Sequence, residues 1–201
     1  LIFKSYLKME KIFKYLLLFL AAITLTTSCS NDDEPEINTE DTDDIQYDGS
    51  RKILVAYFSA TGNTQRLAER IIAATGADAF RIEAAEPYAE NPYDDSDRIQ
   101  NESYNNERPA VAVLPDNVED YDVIFVGSPI WWHNPAMVVC TFLEHYNLKD
   151  KIIVPFFTYG ATTYLQQSVD KIYEVTPESI HLPTYTGGSV DTWLRNIHIM
   201  Q

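Results

Sequence analysis

Three uninterrupted apolar runs constrain the fold of this chain more than any other feature. They are Ile53 to Phe58, Val123 to Val126 and Ile152 to Phe157, and none of them alternates with polar residues. A strand with one wet face alternates, whereas a strand covered on both faces by helices reads as a continuous apolar run. The runs therefore predict the central strands of a parallel sheet in an α/β domain.

Weaker patterns predict the edges of this sheet and its helices. Ala79 to Ile82 and the segment around Ile180, which Pro183 closes, are typical of edge strands. Helical spacing of apolar residues predicts four helices, with a fifth, short one near Ser96 to Glu107: Leu67–Ile72, Ala136–Leu143, Leu165–Tyr173 and Val190–Ile197. A strand followed by a helix, five times over, specifies a doubly wound five-stranded parallel sheet.

Prolines and serines add three local predictions. Asn134 followed by Pro135 predicts the start of a helix, and Ser189 can cap the last one. Pro155 lies inside a run assigned to a central strand, where it removes a ladder hydrogen bond. We therefore expect a bulge or an early strand end at Pro155.

The first 28 residues have the pattern of a signal peptide. Four lysines precede an apolar run from Tyr15 to Ile23, and small residues then lead to Cys29. Counted as far as Leu25, the run is shorter than the roughly 20 residues that span a bilayer. The segment resembles the lipobox of bacterial lipoproteins, although Leu25 stands one place further back than is usual there. That resemblance implies a lipidated Cys29 and an exported, membrane-anchored protein on the periplasmic or cell-surface face; plain secretion or a free thiol is the alternative.

Residues 29–50 are rich in Asp and Glu and predict a disordered acidic tether, so the folded domain is expected at residues 51–201. The whole chain has a net charge of −15, and loss of residues 1–28, which carry four Lys and one Glu, would give −15 − 3 = −18. Such a charge repels nucleic acid and favours a protein partner with a basic patch. With Cys29 lipidated, only Cys140 remains, and its apolar helix face predicts a core residue without a disulfide.

The stretch SATGNT follows the first predicted strand and precedes a helix. It therefore lies at the carboxyl end of that strand, where open parallel sheets bind ligands. A helix N-terminus there attracts an anion. The stretch lacks the Gly-Lys-Ser/Thr ending of an ATP-binding loop and has one glycine where a dinucleotide fingerprint needs three. The available donors are backbone amides and four side chains: Ser59, Thr61, Asn63 and Thr64. The alternative is a tight turn in which Thr64 only caps the helix.

Ser59, Thr61, Gly62 and Thr64 resemble, position by position, the flavodoxin phosphate signature of hydroxyl-any-threonine-glycine-any-threonine. The resemblance covers residues 51–201. It implies a flavodoxin-like fold with strand order 2-1-3-4-5 and a bound flavin mononucleotide (FMN), whose phosphate occupies this loop.

Further along, GSPIWWHNPAM resembles the ring-binding loop of a flavodoxin subfamily with a Pro-Ile-Trp-Trp segment. The resemblance implies a flavin wall from Pro129, Ile130, Trp131 and Trp132; the alternative is that the tryptophans are ordinary core. His133 replaces the glycine that usually follows. A residue with a Cβ resists the left-handed conformations that glycine allows, so one-electron chemistry of the flavin is less secure. The His133 side chain is either a hydrogen-bond donor or proton relay, or it is a solvent-exposed loop residue.

The fourth strand ends in FFTYGATT, and similar flavodoxins have Thr-Ser-Gly-Gly at this point. The resemblance implies that Thr158, Tyr159 and Gly160 border the flavin ring. Thr158 and Gly160 match the family, whereas Tyr159 departs from it and either stacks on a substrate or shields the ring.

These observations predict an FMN-binding redox protein tethered to the membrane, with no catalytic residue identified. It is either an electron carrier that meets a basic protein or a reductase that admits NAD(P)H or a quinone, and the histidine at 133 slightly favours the reductase. The alternative is a non-redox lipoprotein that binds another phosphorylated or aromatic ligand. The histidines are scattered and the domain has a single cysteine, so we predict no metal site. The sequence also lacks the Gly-x-Ser-x-Gly elbow that would carry the nucleophile of a hydrolase.

Overall fold

The computed structural model describes residues 49–200. The predicted signal peptide (1–28), Cys29 and nearly all of the predicted tether (29–50) lie outside this part of the chain. Among residues 49–200, no helix is long and apolar enough to cross a membrane.

A parallel sheet forms the centre of the domain, with strand order β2-β1-β3-β5-β6. A further short strand, β4, pairs antiparallel with the end of β3 and lies outside this order. Without β4, the order is the predicted 2-1-3-4-5. The strands are β1 (Ile53–Tyr57), β2 (Asp78–Arg81), β3 (Val123–Trp131), β4 (Asn134–Pro135), β5 (Ile152–Thr158) and β6 (Ile180–His181).

Helices follow each of the five parallel strands, as predicted. They are α1 (Asn63–Thr75), α2 (Ser96–Tyr104), α3 (Met137–Glu144), α4 (Leu165–Val175) and α5 (Val190–Asn196). Short 3₁₀ turns add Pro92–Asp95, Val118–Asp120 and Thr162–Tyr164.

The continuous apolar runs arise because the sheet has a hydrophobic core on each face. Val55, like every second residue of β1, packs with α1 and α5, whereas its neighbour Leu54 packs with α3 and α4. Phe125 and Ile124 of β3 divide in the same way and are fully buried. Each large apolar side chain buried in this way contributes about 1.5–3 kcal/mol to the stability of the fold.

The expected bulge or strand end at Pro155 is wrong, because β5 passes through it in register with Val126 of β3. The carbonyls of Ile153 and Pro155 accept from Leu182 N (3.1 Å) and Thr184 Oγ1 (2.8 Å), so both face the β6 side. The backbone nitrogen of Pro155, which has no N–H to donate, faces that same side. Because β6 has already ended at His181, no strand hydrogen bond is lost there. The Leu182 carbonyl accepts instead from the Tyr173 hydroxyl at 3.2 Å.

The predicted helix start at Asn134-Pro135 is also wrong. These two residues form β4, and α3 begins at Met137 with Ala136 as its N-cap residue. The Ala136 amide donates to Ser128 Oγ at 2.9 Å, which ties the helix start back to β3. The Ser189 cap is confirmed, since its Oγ accepts from the amide of Thr192 at 3.3 Å.

Candidate functional site

A cleft of about 1120 Å³ opens at the carboxyl ends of β1, β3 and β5. Its lining brings together the three loops that the sequence singled out, although they are far apart along the chain. Those loops contribute Ala60, Thr61, Asn63, Thr64, Pro129, Ile130, Trp131, Trp132, Thr158, Tyr159 and Gly160. The predicted site residues Ser59, Gly62 and His133 are not part of this lining.

The loop after β1 ends in a helix N-terminus that offers free amides. Gly62 is the N-cap residue of α1, with a left-handed backbone (φ 81°), and no side chain caps the helix. The first intrahelical bond runs from Arg66 N to the Gly62 carbonyl at 3.0 Å, so the amides of residues 63–65 precede it. No acidic residue lies in the first turn. The arrangement is suited to an anion.

The hydroxyls of this loop differ in what they bond. Ser59 Oγ is buried, its residue only 3% exposed, and has no hydrogen-bond partner among the described residues. Thr64 does not cap the helix, so that alternative is wrong; its Oγ1 lies 2.8 Å from Oγ1 of Thr158, the last residue of β5. Thr61 Oγ1 accepts from Asn63 Nδ2 at 3.1 Å. The phosphate-type loop is thus held by Asn63 and by Thr158 of β5, and Ser59 Oγ is left without a partner among the described residues.

Arginines from outside the loop reinforce it. Sequence reasoning missed them because it considered only cations within the loop. Arg66 donates through Nη2 to Asn63 Oδ1, which folds its guanidinium back toward the loop. Arg81 donates through Nη2 to the Ser59 carbonyl at 3.1 Å. Arg70 also lines the cleft. The i, i+4 spacing of Arg66 and Arg70 after the loop is a signal that could have revealed them.

A strained two-residue turn joins β3 to β4. Trp132 (φ 45°) and His133 (φ 76°) are both left-handed, and Trp131 pairs with Asn134 across the turn. This is the geometry of a type I′ hairpin, which usually takes Asn-Gly. His133 therefore adopts the conformation that its Cβ was expected to resist.

Contacts from both neighbouring helices hold this turn in place. Ser103 Oγ donates to the Trp132 carbonyl at 2.7 Å and accepts from Asn134 Nδ2 at 2.9 Å. Ser168 Oγ donates to the His133 carbonyl at 3.2 Å. The His133 ring stacks on Tyr164 with centroids 3.7 Å apart. Sequence reasoning missed Ser103 and Ser168, and nothing in their local sequence signals this role.

The two tryptophans have different environments. Trp131 is partly buried and packs edge-on against Phe58 at 5.3 Å and Tyr88 at 5.2 Å. Trp132 is 38% exposed. Both line the cleft, so Trp131 belongs at once to the core and to the cleft wall, and Trp132 provides an open aromatic surface.

Tyr88 is itself fixed by charged neighbours. Its hydroxyl donates to Glu102 Oε2 at 2.6 Å, and the Arg98 guanidinium lies 4.1 Å above its ring. Burial, together with this hydrogen bond to Glu102, raises the pKa of Tyr88. Tyr88 therefore stays neutral at ordinary pH and serves as rigid packing behind Trp131.

Tyr93 is a cleft residue that sequence reasoning did not single out. It is 87% exposed and lies at the mouth of the cleft.

The described part of the chain shows neither a reactive thiol nor a cluster of metal ligands. Cys140 is fully buried, as predicted, and burial raises the pKa of its thiol to about 12, so it is unreactive. Within residues 49–200, no three His, Cys, Asp or Glu side chains gather to hold a metal ion.

Comparison with known proteins places this site in a family. The flavodoxin family model matches residues 52–190, which include all three loops of the cleft. This chain belongs to the flavodoxin family. Its family resemblance and its fold, predicted from the loop signature and the apolar runs, are thereby confirmed.

Solved flavodoxin-like structures agree. A candidate flavoprotein from Bacteroides eggerthii is 35% identical, with a TM-score of 0.64 over 73% of this chain and 98% of its own. Another from Bacteroides uniformis is 28% identical, with a TM-score of 0.64 over 72% and 98%. A flavoprotein from Lactobacillus acidophilus, solved in complex with FMN, is 24% identical, with a TM-score of 0.61 over 72% and 99%. No curated protein matched the chain.

Proposed function

We propose that this flavodoxin-family protein binds FMN in the cleft and takes part in redox chemistry. The acid-free helix N-terminus at the cleft is the observation that carries the proposal, together with the buried, unpartnered hydroxyl of Ser59, which directly precedes the lining residues Ala60 and Thr61. Buried hydroxyls are nearly always hydrogen-bonded, so an orphan in a loop of this kind indicates a missing ligand atom. When bound, FMN supplies the electron-transfer chemistry, and the chain supplies position and environment.

The loop residues fit a phosphate monoester. Ser59, Thr61 and the amides of residues 63–65 would hold its oxygens, and Arg66 lies close enough to the loop to bond Asn63. Each hydrogen bond to a charged group contributes about 1.5–3 kcal/mol, and the helix dipole about 0.3–1 kcal/mol. Several such contacts retain a phosphate without a lysine.

The remaining walls fit a flat aromatic ring system. Trp132, Ile130 and Tyr159 line the cleft beyond the phosphate loop. Trp132 is exposed, so a ring placed against it removes aromatic surface from water, and tryptophan can bury about 150–250 Å². The rigid hairpin that carries Trp132 keeps this wall in place before the ligand arrives.

Ligand titration tests the proposal. We expect the purified chain to quench FMN fluorescence on binding and to bind riboflavin, which lacks the phosphate, at least about a hundredfold more weakly, since two lost charge-assisted bonds correspond to that factor. Equal affinity for both flavins would show that the loop does not hold the phosphate. Failure to bind FMN would favour a different phosphorylated or aromatic ligand for the cleft.

The redox role has two versions, an electron carrier and a reductase. The acidic chain favours a basic protein partner for a carrier, whereas the open cleft admits a small donor or acceptor such as NAD(P)H or a quinone. Anaerobic mixing of the FMN-loaded chain with NAD(P)H, monitored at the flavin absorbance bands, separates them. Rapid two-electron bleaching supports the reductase, and resistance to NAD(P)H supports the carrier.

Membrane tethering rests on the sequence of residues 1–50 alone. We propose that the lysines and apolar run direct export and that lipidated Cys29 anchors the domain through the acidic segment. In cells that express the full chain, Cys29→Ser should move the protein from the membrane fraction to the soluble fraction. An unchanged distribution would contradict lipid anchoring.

A further inference from the structure

Two arginines on the cleft side of α1 have no acidic partner. Arg66 and Arg70 are four residues apart, which places them on one helical face, and both are exposed and line the cleft. Neither forms an ion pair within residues 49–200. The cleft therefore carries local positive charge, although the whole chain has a net charge of −15.

This charge exceeds what one FMN phosphate needs. The loop already offers the amides of residues 63–65 and the hydroxyls of Ser59 and Thr61, and Arg66 folds back toward them. Arg70 lies one helical turn further on, about 6 Å along the axis from Arg66. Within the described part of the chain it has no hydrogen bond and no ion pair. Arg70 is thus left for another anion.

An aromatic ring lines the same cleft as these cations. Tyr185 and Gly187, from the loop between β6 and α5, line the same cleft. The Tyr185 hydroxyl donates to the Gly188 carbonyl at 2.6 Å, and its ring packs 5.3 Å from that of Trp193. Tyr185 also packs on the core cluster that contains Leu67, a cleft residue between the two arginines. An unpaired cation and a fixed aromatic ring in the lining of one cleft suit a nucleotide, which has both a phosphate and a flat base.

We propose that Arg70 and Tyr185 form a second subsite that binds the diphosphate and base of a nucleotide beside FMN. The subsite shares the cleft of about 1120 Å³, whose lining includes both Arg70 and Tyr185. The inference rests on the proposed function and deepens it: a phosphorylated dinucleotide, rather than a basic protein, is the partner whose charge matches Arg70.

Calorimetry with ADP, which cannot reduce a flavin, tests the subsite by binding alone. We expect ADP to bind the FMN-loaded chain without releasing FMN, and Arg70→Ala to weaken ADP binding at least about tenfold while FMN affinity stays the same. The control is Lys149→Ala, which removes an exposed cation just before the amino end of β5, whereas the cleft opens at the carboxyl ends of the strands, and it should leave ADP binding unchanged. Release of FMN by ADP, or equal effects of the two variants, would overturn the subsite.

Inorganic pyrophosphate separates the two parts of the ligand. Tyr185→Leu should weaken ADP binding several-fold and leave pyrophosphate binding unchanged, whereas Arg70→Ala should weaken both. Equal losses for both probes in Tyr185→Leu would refute the base contact. A chain that takes up FMN but not ADP refutes the subsite and leaves the proposed function standing; a chain that takes up no FMN refutes the proposed function itself.

Discussion

The loop after β1 and the turn between β3 and β4 border the same cleft, but they reach a left-handed backbone by different means. The loop places Gly62 at φ 81°, where glycine bears no steric penalty, and leaves Ser59 and three helix amides unbonded. The turn places Trp132 and His133 at φ 45° and 76° and has both of their carbonyls bonded by serines. A loop that binds a ligand keeps its donors free, whereas a turn that forms a wall uses them to hold its shape.

Removal of a serine that holds the turn should have the largest effect on stability. Ser103→Ala leaves the Trp132 carbonyl and Asn134 Nδ2 without their partner, and each buried group left unpaired costs about 1–3 kcal/mol. We expect a loss of about 2–3 kcal/mol in the free energy of unfolding, measured by urea titration, together with weaker FMN binding.

Ser179→Ala is the matched control, since Ser179 Oγ donates at 2.7 Å to the Leu148 carbonyl away from the cleft. It should cost about 1 kcal/mol and leave FMN affinity unchanged. Equal effects of the two variants on FMN affinity would show that the turn does not shape the cleft.

Substitution of His133 tests whether the turn is strained. A β-branched residue fits a left-handed backbone poorly, and His133→Val also removes the stacking on Tyr164. We expect a loss of about 1–2 kcal/mol in the free energy of unfolding, from a left-handed penalty and a ring contact of that combined order. His145→Val, at an exposed residue with φ −72°, should change it by less than about 0.5 kcal/mol. Similar losses at the two histidines would contradict strain at 133.

Substitution of the two glycines at the ends of α1 distinguishes the cost of a strained backbone from an effect on FMN binding. Gly62 and Gly76 have similar left-handed φ values of 81° and 70°, and a Cβ at Gly62 would come no closer than 3.4 Å to another residue. Gly62→Ala and Gly76→Ala should therefore each cost about 1 kcal/mol in thermal unfolding. Only Gly62→Ala should weaken FMN binding; weaker binding in both variants would mean that the loop geometry is not specific.

Ser59→Ala should have the smallest effect on stability of these variants. Its hydroxyl has no partner to lose, so the free energy of unfolding without ligand should stay within about 0.5 kcal/mol of the parent value. FMN binding, followed by fluorescence quenching, should weaken at least about tenfold. A large loss of stability without ligand would show that Ser59 Oγ bonds within the protein and does not await a phosphate.

Much of the fold was readable from the sequence because its signals are local. Burial on both faces is written into the composition of β1, β3 and β5, and the phosphate-type loop is a run of adjacent residues between a strand and a helix. The errors at Pro155 and at Asn134-Pro135 both lie at prolines but have different causes: the Asn-Pro pair fits the start of a helix yet forms β4 against the end of β3, whereas Pro155 was expected to interrupt a strand that continues. Local propensity disfavours proline in a sheet, but whether the missing N–H matters depends on where the neighbouring strand ends.

The sequence by itself determined the layered sheet, the phosphate-type loop before a helix and the clustering of three loops at the carboxyl ends of the strands. Only the tertiary structure decided how the cleft is braced, because its contacts join residues far apart along the chain. Ser103 and Ser168 lie 29 and 35 residues from the carbonyls they hold, and Thr64 lies 94 residues from Thr158. No local pattern records such pairs, since each hydroxyl alone is equally compatible with solvent.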